Sequence, residues 1–97
     1  MTPDEVGDPH TLGIRCLVNG EVRQHSNTKE LIFNCFQQIA FLSHAMTLEP
    51  GDLILTGTPG GVGIGSKPPR WLKAGDVVRV EIDRIGAIES RVVAEIA

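Results

Sequence analysis

The sequence predicts an α+β fold, rich in strands: a mixed or antiparallel, β-roll-like sheet with one main helix over about residues 35–46. Three observations carry this. Val78, Val80 and Ile82 alternate with Arg79 and Glu81, and Ile14, Cys16 and Val18 with Arg15, Leu17 and Asn19, the period of a half-buried strand. Asn19-Gly20 follows the earlier run, and a type I′ turn, which needs positive φ at both central residues, favours that pair. Only Phe36, Ile39, Ala40, Leu42, Ala45 and Met46 form an apolar stripe at helical spacing.

Composition bounds the function. Ninety-seven residues suit one small domain or part of a larger one, and 41% hydrophobic with 22% charged residues is globular material. A net charge of −3 offers no basic field for nucleic acid or an anionic membrane, so neither is expected as a partner. The apolar runs break well short of a membrane span. Met1-Thr2-Pro3-Asp4-Glu5 is acidic where a secretory signal begins positive. Cys16 and Cys35 stand apart in apolar surroundings and read as buried reduced thiols, which points to the cytoplasm.

Taken in order, residues 1–12 carry two prolines and no period, an irregular opening that suggests a chain starting partway into a domain. The first strand and Asn19-Gly20 lead into Glu21-Val22-Arg23-Gln24-His25, a mostly polar returning strand suited to an edge. Asn27 can cap a short helical turn around residues 29–33, with Glu30 placed to complete a capping box. Asn34 caps the main helix with Gln37 three residues on, and Phe33 is placed for a hydrophobic staple. Glu49-Pro50-Gly51-Asp52 stops the helix in a type II turn with Gly51 at positive φ. Leu53-Ile54-Leu55 then reads as a short buried strand. Lys73-Ala74-Gly75-Asp76 repeats the turn chemistry before the strand at Val78. Asp83-Arg84-Ile85-Gly86 turns the chain, and Ile88 to Ile96 completes a last pairing.

Between the two turns lies Thr56-Gly57-Thr58-Pro59-Gly60-Gly61-Val62-Gly63-Ile64-Gly65, with five of the chain's 11 glycines. So few side chains build no core, and ordering such backbone is entropically costly. The stretch therefore reads as a ligand-facing loop at a strand end, with two threonine hydroxyls at its mouth; a wide connection is the alternative. Gly60 and Gly65 have P-loop spacing, but Ser66-Lys67 is in the wrong order and Pro68-Pro69 forbids the following helix. The dinucleotide fingerprint fails for want of a strand–helix context. His10, His25 and His44 are scattered and read as solvated or capping side chains. Asp4, Glu5 and Asp8 lack calcium-loop spacing, and Glu81 and Asp83 read as ordinary carboxylates on an exposed strand face. The serines lack a nucleophile elbow. Trp71 reads as a plug at the base of the loop, with ligand stacking as the alternative.

Asn19-Gly20-Glu21-Val22-Arg23-Gln24, Ser26-Asn27-Thr28, Met46-Thr47-Leu48-Glu49-Pro50-Gly51-Asp52 and Thr56-Gly57-Thr58-Pro59-Gly60-Gly61-Val62-Gly63 together resemble the fumarylacetoacetate hydrolase family. Leu72 to Val78 and Ile85-Gly86 resemble its closing strands, so residues 1–97 look like the C-terminal part of its catalytic domain. The resemblance implies a usually dimeric, metal-dependent enzyme that cleaves or decarboxylates β-diketo or oxo acids, using Mg²⁺, Mn²⁺ or Ca²⁺ on carboxylates. It also implies substrate contacts from Thr56, Gly57, Thr58 and Pro59, with Thr58 the hydroxyl that meets substrate. The family's metal ligands and acid–base residues match nothing here, and no Glu-x-Glu pair occurs. The expectation is thus an incomplete segment with no catalytic residue or metal ligand of its own. A truncated, non-catalytic module that binds a partner chain or a small organic acid is the competing reading.

Overall fold

The computed structural model describes residues 1–96, so Ala97 of the expected 1–97 unit lies outside the described residues. The fold is α+β, with a four-stranded antiparallel sheet in the order β2-β1-β3-β4. Its strands are β1 (Gly13–Val18), β2 (Glu21–Asn27), β3 (Val77–Ile82) and β4 (Gly86–Arg91). Two α-helices accompany them, a single turn α1 (Pro3–Val6) and the main helix α2 (Cys35–Ala45). The turn α1 falls in the segment expected to be irregular. Pro3 at its start gives up no helical bond there, but four residues are too short for a periodic signal.

Asn19 and Gly20 take φ of 51° and 80°, the double positive φ that a type I′ turn demands. β2 then departs from simple alternation. Cys16 pairs with Gln24 but Leu17 with Val22, leaving Arg23 as an extra residue in a β-bulge. β1 also pairs with β3, from Ile14 opposite Ile82 to Val18 opposite Val78.

The repeated turn is present twice. In each, a glycine takes positive φ, 96° at Gly51 and 95° at Gly75. The aspartate that follows closes it both ways: Asp52 N–H donates to Glu49 O at 3.1 Å, and Asp52 Oδ2 accepts from Glu49 N–H at 2.8 Å. Asp76 does the same with Lys73, at 3.1 and 3.0 Å. Asp76 does more. Its Oδ1 accepts from Asn19 Nδ2 at 2.9 Å, while Asn19 Oδ1 accepts from Val77 N–H at 2.9 Å. Its backbone carbonyl accepts from Val92 N–H at 2.7 Å. Asp76 is buried and Asp52 exposed. The Lys73 N–H, then the Asn19 amide, hold the Asp76 carboxyl below the usual carboxylate value.

Helix α2 begins as expected. Asn34 Oδ1 accepts from Gln37 N–H and Gln37 Oε1 from Asn34 N–H, both at 2.8 Å, a complete capping box. His10 adds a cap from outside: its Nε2 accepts from Cys35 N–H at 2.9 Å, and its ring meets Phe36 edge-on, centroids 4.9 Å apart. That bond requires a neutral imidazole with its proton on Nδ1, 3.5 Å from Asp8 Oδ1.

Six expectations are corrected. Leu53-Ile54-Leu55 is not a buried strand: no strand among the described residues runs beside it, and Leu53 and Leu55 are 91% and 95% exposed. Apolar composition alone cannot supply ladder partners. The α2 stripe is likewise uncovered, with Phe36, Ile39 and Met46 exposed. Phe33 makes no staple; it is exposed, and its carbonyl accepts from Gln38 Nε2 at 2.8 Å. The Asn27 cap forms only a short 3₁₀ turn, Thr28–Glu30, closed by Lys29 N–H on Asn27 Oδ1 at 3.0 Å, not the capping box with Glu30. The last pairing ends at Arg91, with Val93 and Ile96 exposed, and Cys16 and Cys35 are only half-buried.

Among the described residues Leu12 and Val18 are the buried apolar residues. A radius of gyration of 15.9 Å exceeds the roughly 12.5 Å expected of a closed domain this long. The fold is a sheet with open faces. Replacing Asp76 by Ala should therefore lower the melting temperature more than Asp52→Ala, because only Asp76 ties separate strands together. Its carboxylate stabilises fully above the ordinary value of 3.8, and that contribution is lost as pH falls through its lower folded value. Calorimetry of wild type and Asp76→Ala should show the gap in melting temperature narrowing below about pH 4.

Candidate functional site at the glycine-rich loop

The loop at residues 56–65 is seated on β2. Gly61, at φ 104°, lies so close to the bulge that a Cβ there would run into the Arg23 carbonyl oxygen. A Cβ on Gly63 would meet the carbonyl oxygen of Arg70 in the same way, and Arg70 N–H donates to Gly63 O at 2.8 Å. The glycines are thus present for backbone-to-backbone approach. Gly60, in contrast, has open space around it.

Two side-chain ties hold the seat. Gln24 Nε2 donates to Thr58 Oγ1 at 2.6 Å and to Pro59 O at 2.8 Å. At the other end, Arg70 Nη1 and Nη2 donate to the two oxygens of Glu21, both at 2.9 Å. This forked bond, more than the nearby Arg23 with its Nε 3.5 Å from Glu21, holds the Glu21 carboxyl down at about 2. The pair is exposed, so water screens it and its contribution is mainly geometric. A cleft of about 400 Å³ opens behind it, lined in part by Asp76 and Trp71. Trp71 is 67% exposed at that cleft and does not plug the loop.

The structure brings Thr58 and Pro59 together on Gln24 and leaves Thr56 and Gly57 exposed at the loop's mouth. Gln24, Glu21 and Arg70 escaped the sequence reading. The trace of Glu21 and Gln24 was the irregular run Glu21 to His25, whose adjacent polar Arg23 and Gln24 break the alternation of a strand; Arg70 left none.

Metal chemistry finds no ligand set here. Among the described residues no three His, Cys, Asp or Glu side chains converge. Asp8 instead accepts from His10 N–H, Asp83 from Gly13 N–H, and Glu81 pairs with Arg15 and Arg79. Those arginines, Arg79 first, hold the Glu81 carboxyl below its usual range. These residues do not fit a divalent cation, so no step of a reaction is assigned to one on this segment.

The description "Fumarylacetoacetate (FAA) hydrolase C-terminal" matches residues 1–93. The chain belongs to the fumarylacetoacetate hydrolase family. It is 57% identical over 93 residues to the mitochondrial oxaloacetate tautomerase fahd2 of Xenopus laevis, covering 96% of this chain and 29% of that protein. The chain therefore spans under a third of that relative. A fumarylacetoacetate hydrolase from Exiguobacterium antarcticum superposes with a TM-score of 0.93 at 43% identity, over 98% of this chain and 34% of that one. A maleylpyruvate hydrolase from Sphingobium, solved with manganese (II) and pyruvate, gives a TM-score of 0.86 at 43% identity, over 96% and 33%. Members of the fumarylacetoacetate hydrolase family thus include hydrolases and tautomerases, and one holds a divalent metal. No helix among the described residues is long and apolar enough to cross a membrane.

The seating makes the glycines unequal. Alanine at Gly61 should lift the loop from β2, shifting the backbone amide signals of Thr58 and Arg23 in ¹⁵N spectra, whereas alanine at Gly63 should shift the Arg70 amide that faces it. Gly60→Ala should leave those signals in place.

Proposed function

We propose that this segment supplies the substrate loop of an enzyme acting on a small oxo or β-diketo acid, with Thr58 donating to a substrate oxygen. Thr56, Gly57 and Pro59 complete the contact surface. The observation that carries this is the Thr58 hydroxyl, held at an exposed loop mouth by Gln24 and flanked by glycines that leave space. The names of the relatives support the substrate class: oxaloacetate for the Xenopus protein, pyruvate bound in the Sphingobium one. Carbon–carbon cleavage, decarboxylation and tautomerisation of such acids all develop charge on an enol oxygen, which a hydroxyl donor stabilises. The Mg²⁺, Mn²⁺ or Ca²⁺ that the family implies would be held by residues outside this segment, which alone would be inactive. Free Cys16 and Cys35 fit the expected cytoplasm, while the Xenopus relative is named as mitochondrial.

In the full-length protein, Thr58→Val keeps the shape and removes the donor. A charge-assisted hydrogen bond contributes roughly 1.5–3 kcal/mol, so kcat/KM toward oxaloacetate or maleylpyruvate should fall about 10- to 100-fold. Thr56→Val should cost less. Unchanged kcat/KM with an intact circular dichroism spectrum would reduce the loop to a connection.

A second observation supports the homodimer that the family resemblance implies. A mostly apolar groove of about 540 Å³ between α2 and residues 54–55, lined by Phe33, Phe41, Leu42, Ile54 and Leu55 and by the neutral amides of Gln37 and Gln38, stands open. We read its occupant as a second copy: the groove has no charged lining residue, so two copies can meet there face to face without burying an unpaired charge. Sedimentation at low micromolar concentration should find dimers that Phe41→Glu dissociates. A stable monomer would remove this part of the proposal.

A further inference from the structure

The polarity of the Thr58 hydroxyl is determined by a neighbour. Pro59 O can only accept a hydrogen bond, and it lies 2.8 Å from the Gln24 side-chain amide. The amide must therefore present its NH₂ to Pro59; the flipped arrangement would set two carbonyl oxygens against each other. The same nitrogen lies 2.6 Å from Thr58 Oγ1. A primary amide nitrogen donates and does not accept, so Thr58 is the acceptor in that contact. Its own proton is left over, and no bond donated by Thr58 Oγ1 is made to any described residue.

We infer that Gln24 is a positioning residue that fixes Thr58 as a hydrogen-bond donor toward the ligand. This rests on the proposed role of Thr58 and adds its selectivity: the loop prefers a ligand oxygen that accepts, a carboxylate, keto or enolate oxygen, over a group that must donate. Bulge and glycines make the arrangement possible. The extra residue Arg23 sets its carbonyl beside Gly61, and Gln24 follows directly, opposite Cys16. One NH₂ thereby uses both protons on the loop, one on the hydroxyl and one on the carbonyl.

The test replaces the donor with an acceptor of the same size. In Gln24→Glu at neutral pH, the carboxylate accepts the Thr58 proton and faces the Pro59 carbonyl, so the hydroxyl turns inward. With oxaloacetate as the probe and the full-length protein, kcat/KM should fall about 10-fold or more at neutral pH. It should recover in part as pH falls to about 4–5, where a glutamic acid regains a proton to donate. Gln24→Met should lose activity without that pH-dependent recovery. A Gln24→Glu profile running parallel to wild type would overturn the inference. A second measurement needs no activity. In ¹⁵N spectra of the chain, both Gln24 side-chain amide protons should be displaced from the shifts of a solvated glutamine and slow to exchange, and Thr58→Val should move one of them. Shifts and exchange of a solvated glutamine amide, unaffected by Thr58→Val, would also overturn it. If the amide behaves as expected while Thr58→Val leaves kcat/KM unchanged, the placement of the hydroxyl stands and its role toward substrate falls.

Discussion

The carboxylate of Asp76 is the constraint on which the sheet depends. A buried charge is tolerated when its oxygens are all engaged, and this one takes the Lys73 N–H on one oxygen and the Asn19 amide on the other. Asn19 in turn exchanges bonds with Val77, through its side-chain Oδ1 and through its backbone N–H, both at 2.9 Å. Three pieces of chain that are distant in sequence are joined at one point: the β1–β2 turn, the start of β3 and the residue after β4. From that point the β1–β3 register follows, and β2 becomes the outer strand.

Once β2 is outermost, the loop can reach it. Gly61 and Gly63 let two stretches of backbone approach where any side chain would hold them apart, one at Arg23 and one at Arg70. Gln24 and the Glu21–Arg70 pair fix the two ends. None of these contacts is strong alone, since most are exposed to water. Their combined effect is positional, setting the Thr58 hydroxyl relative to a sheet whose register is already determined.

The local chemistry was legible in the residues. Asn19-Gly20, the Asn34–Gln37 box and the two Gly-Asp turns each specify their own geometry within four residues, and all are present. Long-range partners were not legible. Leu53-Ile54-Leu55 and the α2 stripe read as buried because their composition calls for burial, yet composition does not say which surface covers them. Trp71 misled for the same reason. The bulge at Arg23 was hidden because one extra residue leaves only a break in an already polar alternation. At the site, the threonines and glycines stood out, while Gln24, which holds Thr58 and Pro59, looked like any edge-strand polar residue.

The seated loop has one more consequence, because β2 is an edge strand. Unpaired strand edges recruit the edges of other molecules, and proteins commonly shield them with a covering loop. Gly61 lies against the β2 backbone at Arg23, Thr58 and Pro59 lie on the Gln24 side chain, and together they serve as that cover. The segment that presents the hydroxyl also protects the chain from edge-to-edge aggregation. Lesions that unseat it would uncover the β2 edge and release the Thr58 hydroxyl together, so at this loop the placement of the hydroxyl and protection from aggregation rest on one physical event.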